Sequence, residues 1–293
     1  MKIKKHISYN SRLLIIIISA ALSLAPVAFM ITNSFMGAGE AAARYTNQII
    51  PENSFGIIDG RMHYMDVGFL PYLLSTTSWR QILIEDPSHY RFLVNSIILA
   101  VPIVLGQLII APLAAYSFER ARIKHKEKLY FLYIIIMLLP MQALLVPHFI
   151  AAGFMGIRDS YLAIILPAIF APLGVFLIRQ QLKGFQKEIL EAAAIDGASE
   201  FKILLSVVLP NIRPAMVALA VLAFAEAWNI IDQAIVFISG RYDLPMSAYL
   251  SVSQFQNIGM VFALSTLFMI PALIIFIYGQ DDLNEGIGYS GIR

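Results

Sequence analysis

The chain has 293 residues, 59% of them hydrophobic and only 14% charged, against about 45–50% and about 25% in ordinary soluble domains. Apolar residues gathered in long runs at that excess cannot all be buried in one soluble core, so the chain belongs to the membrane class. A net charge of +2 argues for no nucleic-acid surface, and zero cysteines exclude disulfides, thiolate metal sites and a cysteine nucleophile.

The first apolar run, 13–31, has 19 residues, about 28 Å as a helix against a hydrocarbon core of about 30 Å. Its basic approach (Lys2, Lys4, Lys5, Arg12) also resembles a secretory signal. The small-x-small pair Ser23 and Ala25 is followed at once by Pro26, however, and the apolar run continues, so an uncleaved anchor is expected. The segment 33–91, with Pro51, Pro71, Pro87 and several aromatics, is too polar to span and is expected to form a small ordered extracytoplasmic cap. Further spans are expected at 92–118, 129–149, 161–178, 215–238 and 260–278, giving six in all.

Six spans put both termini on one side, and Lys and Arg choose the side. Fifteen basic residues fall in the N-terminus, the loops 119–128 and 179–213, and the C-terminus, against six (Arg44, Arg61, Arg80, Arg91, Arg158, Arg241) in the alternate segments. The termini and even-numbered loops are therefore expected to be cytoplasmic. The domain reading is a cytoplasmic N-terminus 1–12, a six-span transmembrane domain 13–278 with an extracytoplasmic segment 33–91 and a cytoplasmic loop 182–213, and a cytoplasmic tail 279–293. Pro102, Pro112, Pro140, Pro147, Pro167 and Pro172 lie within the spans, where each removes a backbone hydrogen bond and favours a kink.

Between spans four and five, residues 187–195 are good helix formers, Gly197 supplies a left-handed stop and Ser199 can cap a second helix. In that second helix Phe201, Leu204, Leu205 and Val208 recur at i, i+3, i+4 and i+7, so one apolar face is expected, and Pro210 and Pro214 mark the return to the membrane. A short helix pair of this kind suits a partner's groove, and equally a surface packed on the protein's own spans.

Span five carries Glu226, Trp228, Asn229, Asp232 and Gln233. Ionisable groups at membrane depth need a polar cavity or a partner. On a continuous helix Glu226, Asn229, Asp232 and Gln233 fall within a sector of about 120°. They are expected to line a translocation pathway, with Trp228 at the stripe's edge as a ring-stacking or packing residue; hydrogen bonding to a neighbouring subunit is the alternative. His6, His63, His89, His125 and His148 show no metal-ligand spacing, and the basic residues of 120–128 read as a topology signal or an acidic-lipid contact.

Glu191-Ala192-Ala193, three residues, Gly197, nine residues, Val207, one residue, Leu209-Pro210 resembles the Glu-Ala-Ala loop that defines permeases of ABC importers, with Val207 in place of the family's Ile. Asn95-Ser96, Ala115-Tyr116-Ser117-Phe118-x-Arg120, Phe176-Leu177-Ile178-Arg179-Gln180, Ala194-Ile195-Asp196-Gly197 and Trp228-Asn229 are similar to the smaller permease of maltose-type carbohydrate importers. The tail from Gln280 to Arg293 resembles that subgroup's Gly-Leu-x-x-Gly-Ala-Val-Lys ending, departing from it at Ser290, Gly291 and the acidic pair Asp281-Asp282.

The resemblance implies an all-α fold of six transmembrane helices, the type I ABC importer permease fold, in the inner membrane of a bacterium. It implies Glu191, Ala192, Ala193, Asp196, Gly197, Leu209 and Pro210 as ATPase-coupling residues. It also implies a second permease, two cytoplasmic ATPase subunits that bind the ATP and Mg, and an extracytoplasmic binding protein delivering a carbohydrate. The absence of a Gly-x₄-Gly-Lys-Ser/Thr phosphate loop means that this chain is not itself the ATPase, and no catalytic or cofactor-binding residue is expected. Two rival readings remain. One is a permease for glycerol phosphates or another small polar solute, disfavoured by the lack of Lys or Arg within the expected spans; the other is a proton-coupled secondary transporter using Glu226 and Asp232 as a relay, which leaves the Glu-Ala-Ala loop unexplained.

Overall fold

The structure, a computed structural model, describes residues 9–46, 57–58, 61–62, 68–120, 124–253 and 257–288. It divides into two compact units, residues 1–89 with 253–269 and residues 90–252 with 270–293.

In the first unit helix α1 (Tyr9–Asn33) is followed by α2 (Ala38–Ala41), which runs into a π-helical turn, and by α3 (Thr77–Arg80), which does the same. Two-residue strands Ile57–Ile58 and Arg61–Met62 pair antiparallel. The side chains of α1 from Leu13 to Ile18 are all exposed within this chain, so lipid or another subunit must cover them. Its C-terminal end is tied down: Trp79 Nε1 donates to Ser34 Oγ at 3.2 Å, and Thr32 Oγ1 donates to Phe69 O at 2.7 Å. Met36, Ala41 and Tyr45 form a small core with Phe29, Ile258 and Phe262. Around this core Arg44 pairs with Glu40 at 2.9 Å and lies 4.1 Å from the ring of Tyr72, while Phe69, Leu70, Leu73 and Leu74 stay exposed.

The second unit holds most of α4 (Ser88–Arg120), then α5 (Lys126–Met137), α6 (Met141–Phe154), α7 (Leu162–Ile169), α8 (Pro172–Lys183), α9 (Lys187–Ile195), α10 (Glu200–Ile203), α11 (Leu209–Asn211), α12 (Arg213–Trp228), α13 (Asp232–Phe237) and α14 (Met246–Val252). The last helix, α15 (Ile258–Gly288), begins in the first unit and ends in the second.

Among the described residues four stretches are long and apolar enough to cross a membrane: Leu13–Asn33, Ser88–Arg120, Leu162–Lys183 and Ile258–Leu283. Two more qualify only as bent pairs, Lys126–Met137 with Met141–Phe154 at 102° and Glu200–Asn211 with Arg213–Trp228 at 80°. The expected run 129–149 is therefore not one rod. Pro140 is extended and cannot supply the amide that would continue α5, so α6 starts afresh beyond it. The expected run 215–238 is also broken, α12 ending at Trp228 and α13 starting at Asp232. Pro102 and Pro112, by contrast, sit inside the unbroken α4, and the last helix reaches Gly288, ten residues past the expected end of the span.

The core of the second unit joins the middle of α4 (Ala111, Ala115) to α8 (Val175, Ile178), α12 (Ala215, Leu219) and the loop helices (Leu190, Ile203, Leu204, Val208). Burial of this much aliphatic surface, at about 25 cal/mol per Å², holds the loop against its own spans.

Candidate functional sites: an exposed loop and a cavity between broken helices

In the loop, Gly197 takes φ +80° after α9, its amide donating to Ala194 O and that of Ala198 to Ala193 O, both at 3.1 Å. These bonds close a Schellman motif, the reason a glycine stands there. Ser199 Oγ then caps α10 by accepting from the Lys202 amide at 3.3 Å.

The second helix departs from simple periodicity. Residues Leu204–Val208 form a π-helical turn, which shifts the phase of the side chains beyond it. Ile203, Leu204 and Val208 turn inward to the core, while Phe201 and Leu205, expected on the same face as Leu204, stay exposed. With Ile195, 86% exposed, and Phe201, 62% exposed, the outer side of the loop presents large apolar groups among polar ones. Glu191, Ala192, Asp196 and Gly197 are exposed on it, Ala193 and Leu209 are half-buried, and Pro210 is exposed where the chain turns back.

The second place of interest is a cavity of about 510 Å³ lined by Tyr133, Met141, His148, Pro167, Phe170, Glu226 and Gln233 among others. A smaller one of about 100 Å³ shares Glu226, Gln233 and Met141 and adds Gln107. The breaks in the helices frame these cavities. Pro172 has no amide to give the carbonyl of Ala168, four residues before it, and Gln107 Nε2 donates to that carbonyl at 2.9 Å. Tyr133 Oη donates to Phe170 O at 3.3 Å at the same break. Gln142 Nε2 donates to Asp232 Oδ2 at 3.0 Å, joining the start of α6 to the start of α13.

The four polar residues of span five are thus not presented by one helix. Glu226 and Gln233 face the cavities, Asn229 is exposed in the break with its amide on Ala225 O at 2.9 Å, and Asp232 is held by Gln142. Trp228 does not reach the cavities; it is 2% exposed and stacks on Phe224 with ring centroids 5.0 Å apart. Gln107, Gln142 and Tyr133 are the contributors that sequence reading passed over, although an amide inside an otherwise apolar run is itself a signal. Among the described residues no group of three or more His, Asp or Glu is placed to hold a metal ion. The tail positions Ser290 and Gly291 lie outside the described residues.

Membrane-length apolar helices, interruptions at Pro140, between α7 and α8 and after Trp228 around largely apolar cavities that carry a few polar groups, and a helix pair joined by a capped glycine turn describe a predominantly helical membrane protein. The chain belongs to the family described as binding-protein-dependent transport system inner membrane component, matched over residues 89–284. It is 28% identical over 228 residues, 77% of its length and 82% of the relative's, to the arabinooligosaccharides transport system permease protein AraQ of Halalkalibacterium halodurans. It is 31% identical over 205 residues, 68% of its length and 69% of the relative's, to the osmoprotective compounds uptake permease protein GgtD of Synechocystis. Among solved structures, a chain of a bacterial ABC transporter involved in the import of the acidic polysaccharide alginate matches with a TM-score of 0.73 at 22% identity, covering 94% of this chain and 98% of that one. With the family match, that likeness fixes the fold as that of the type I ABC importer permeases. The protein is a transporter component and not an enzyme, and family membership sets aside the proton-coupled secondary transporter.

Proposed function

We propose that this chain is a permease subunit of an ATP-driven importer for carbohydrate, probed best with oligosaccharides. The observation that carries the reading is family membership through residues 89–284 together with a relative whose name specifies arabinooligosaccharide transport. In this reading the termini and the loop 182–213 face the cytoplasm. A second permease covers the exposed side of the spans, two ATPase subunits bind ATP and Mg, and an extracytoplasmic binding protein delivers the solute.

The residues Glu191, Ala192, Ala193, Asp196, Gly197, Leu209 and Pro210 form the ATPase dock. The exposed Ile195 and Phe201 beside them are apolar knobs for a groove, a helix-in-groove contact. Glu226, Asn229, Asp232 and Gln233 line the route, with Gln107 and Gln142 supporting them, since neutral hydroxyls need donors and acceptors in place of the water they shed. Trp228 serves as the packed wall behind them. A small polar solute is the second reading, favoured by the relative named for osmoprotective compounds.

The test is uptake in proteoliposomes containing the complete complex. Transport should stop on ATP depletion and persist under a collapsed proton gradient. The ligand that co-purifies with the cognate binding protein should be an oligosaccharide; a small compatible solute there would favour the second reading, and proton-dependent, ATP-independent uptake would refute both.

A further inference from the structure

Two of the four spans packed on the loop carry it directly: α8 runs into it and α12 out of it. Of the other two, α4 meets the loop itself through side chains, and α5 meets α8 just before it. Glu200, at the start of α10, accepts from Arg120 at the end of α4, with Oε1 2.9 Å from Nη2 and Oε2 3.4 Å from Nε, and its Oε2 also accepts from Tyr116 Oη. At the loop's entry Arg179, 1% exposed on α8, sets Nη2 2.5 Å from Glu127 Oε1 and Nε 3.4 Å from Glu119 Oε2, and its guanidinium lies 3.8 Å from the ring of Tyr130.

The middle of the loop, at Glu200, and the helix α8 that leads into it, at Arg179, are therefore tied to one corner, the end of α4 and the start of α5. The aliphatic packing of the shared core, which includes Ala115 and Leu204, is non-directional and allows sliding. A carboxylate held by a guanidinium fork and a phenol is directional, and it carries a pull along a fixed line. We propose that the corner 116–130 is a second anchorage of the docking loop, through which Glu200–Arg120 and Arg179–Glu127 pass the loop's displacement to α4 and α5. Glu200, Arg120 and Arg179 are then positioning residues for coupling. The inference rests on the docking role proposed above.

Arg179 is too buried to test by removal, since stripping its partners leaves an uncompensated charge. The outer pair is accessible, with Arg120 30% and Glu200 61% exposed. The experiment uses the complete complex in proteoliposomes and reads ATPase co-purification and solute moved per ATP hydrolysed for Glu200→Arg, Arg120→Glu and their double exchange. Each single reversal should keep the ATPase yet lower the ratio about fivefold or more, the lower range of measured coupling effects. The double exchange should recover at least half of the loss. Glu200→Gln, which keeps the shape, should lower the ratio in the same direction where a reversal disturbs folding.

An unchanged ratio in the single variants, or a double exchange no better than either, would overturn the anchorage. So would loss of the ATPase from the single variants, which would make Glu200 part of the dock itself. Failure of the docking role is read separately: Ile195→Cys in the otherwise unaltered chain should crosslink to the ATPase, and the absence of that crosslink would refute the dock whatever the charge exchange does.

Discussion

At Gly197 one backbone angle decides the shape of the loop. A side chain there would meet nothing within 4 Å, so the cost of substitution is purely that of holding φ +80°. Gly197→Ala should cost about 1 kcal/mol by that term and lower the thermal stability slightly, whereas Gly197→Pro, locked at negative φ, should redirect α10 and abolish ATPase co-purification while membrane insertion survives. Full transport by the proline variant would show that the turn does not matter. Asp86 gives a second single-residue test. Hydrogen bonding from Ser88, side chain first and backbone amide second (3.0 Å), holds its carboxyl below the usual carboxylate range. A group with a lowered folded value stabilises above its unfolded value, and that contribution is lost as pH falls through the folded one. Asp86→Asn should therefore unfold at a lower temperature than the parent near neutrality, with the gap closing in acid; a gap independent of pH would remove the carboxylate from the explanation.

At the level of elements, the paired breaks should govern the route. Asp232→Leu removes the acceptor of Gln142 and leaves the amide of α6 without its bond to α13. Asn229→Leu removes a polar group from the break in span five. Both variants should lower transport while the ATPase still docks, and cysteines at 229 and 232 should react with small hydrophilic reagents in a nucleotide-dependent way. Normal transport by both, with neither cysteine reachable in any state, would move these residues to the contact with the second permease. The unbroken spans were legible in the sequence because a helix in lipid needs only length and apolarity, and the turn at Gly197 with its cap at Ser199 was legible because both follow local backbone chemistry. The break after Trp228 was not, since Glu226, Asn229, Asp232 and Gln233 fit one face of a continuous helix equally well, and other groups that frame the cavity come from α4, α6 and α7–α8. For the same reason the apolar stripe of the second loop helix was misread: a π-helical turn at Leu204–Val208 leaves no mark on composition, yet it sends Leu204 and Leu205 to opposite environments.

For the whole molecule, the fifteen-to-six bias of basic residues predicts sidedness. In intact cells single cysteines at Lys124 and Lys202 should be shielded from impermeant reagents and one at the exposed Leu74 labelled, against no native thiol background. Labelling at position 202 from outside would overturn the orientation and, with it, the cytoplasmic dock. The loop also separates two kinds of constraint within about twenty residues. Ile203, Leu204 and Val208 answer to this chain's own interior, and Ile195, Phe201 and Leu205 answer to whatever lies beyond it. The outward set can change without disturbing the inward one, so compatibility with a motor is adjustable independently of foldability. In the dock proposed above, a few surface replacements would therefore alter the fit to an ATPase while leaving the fold intact.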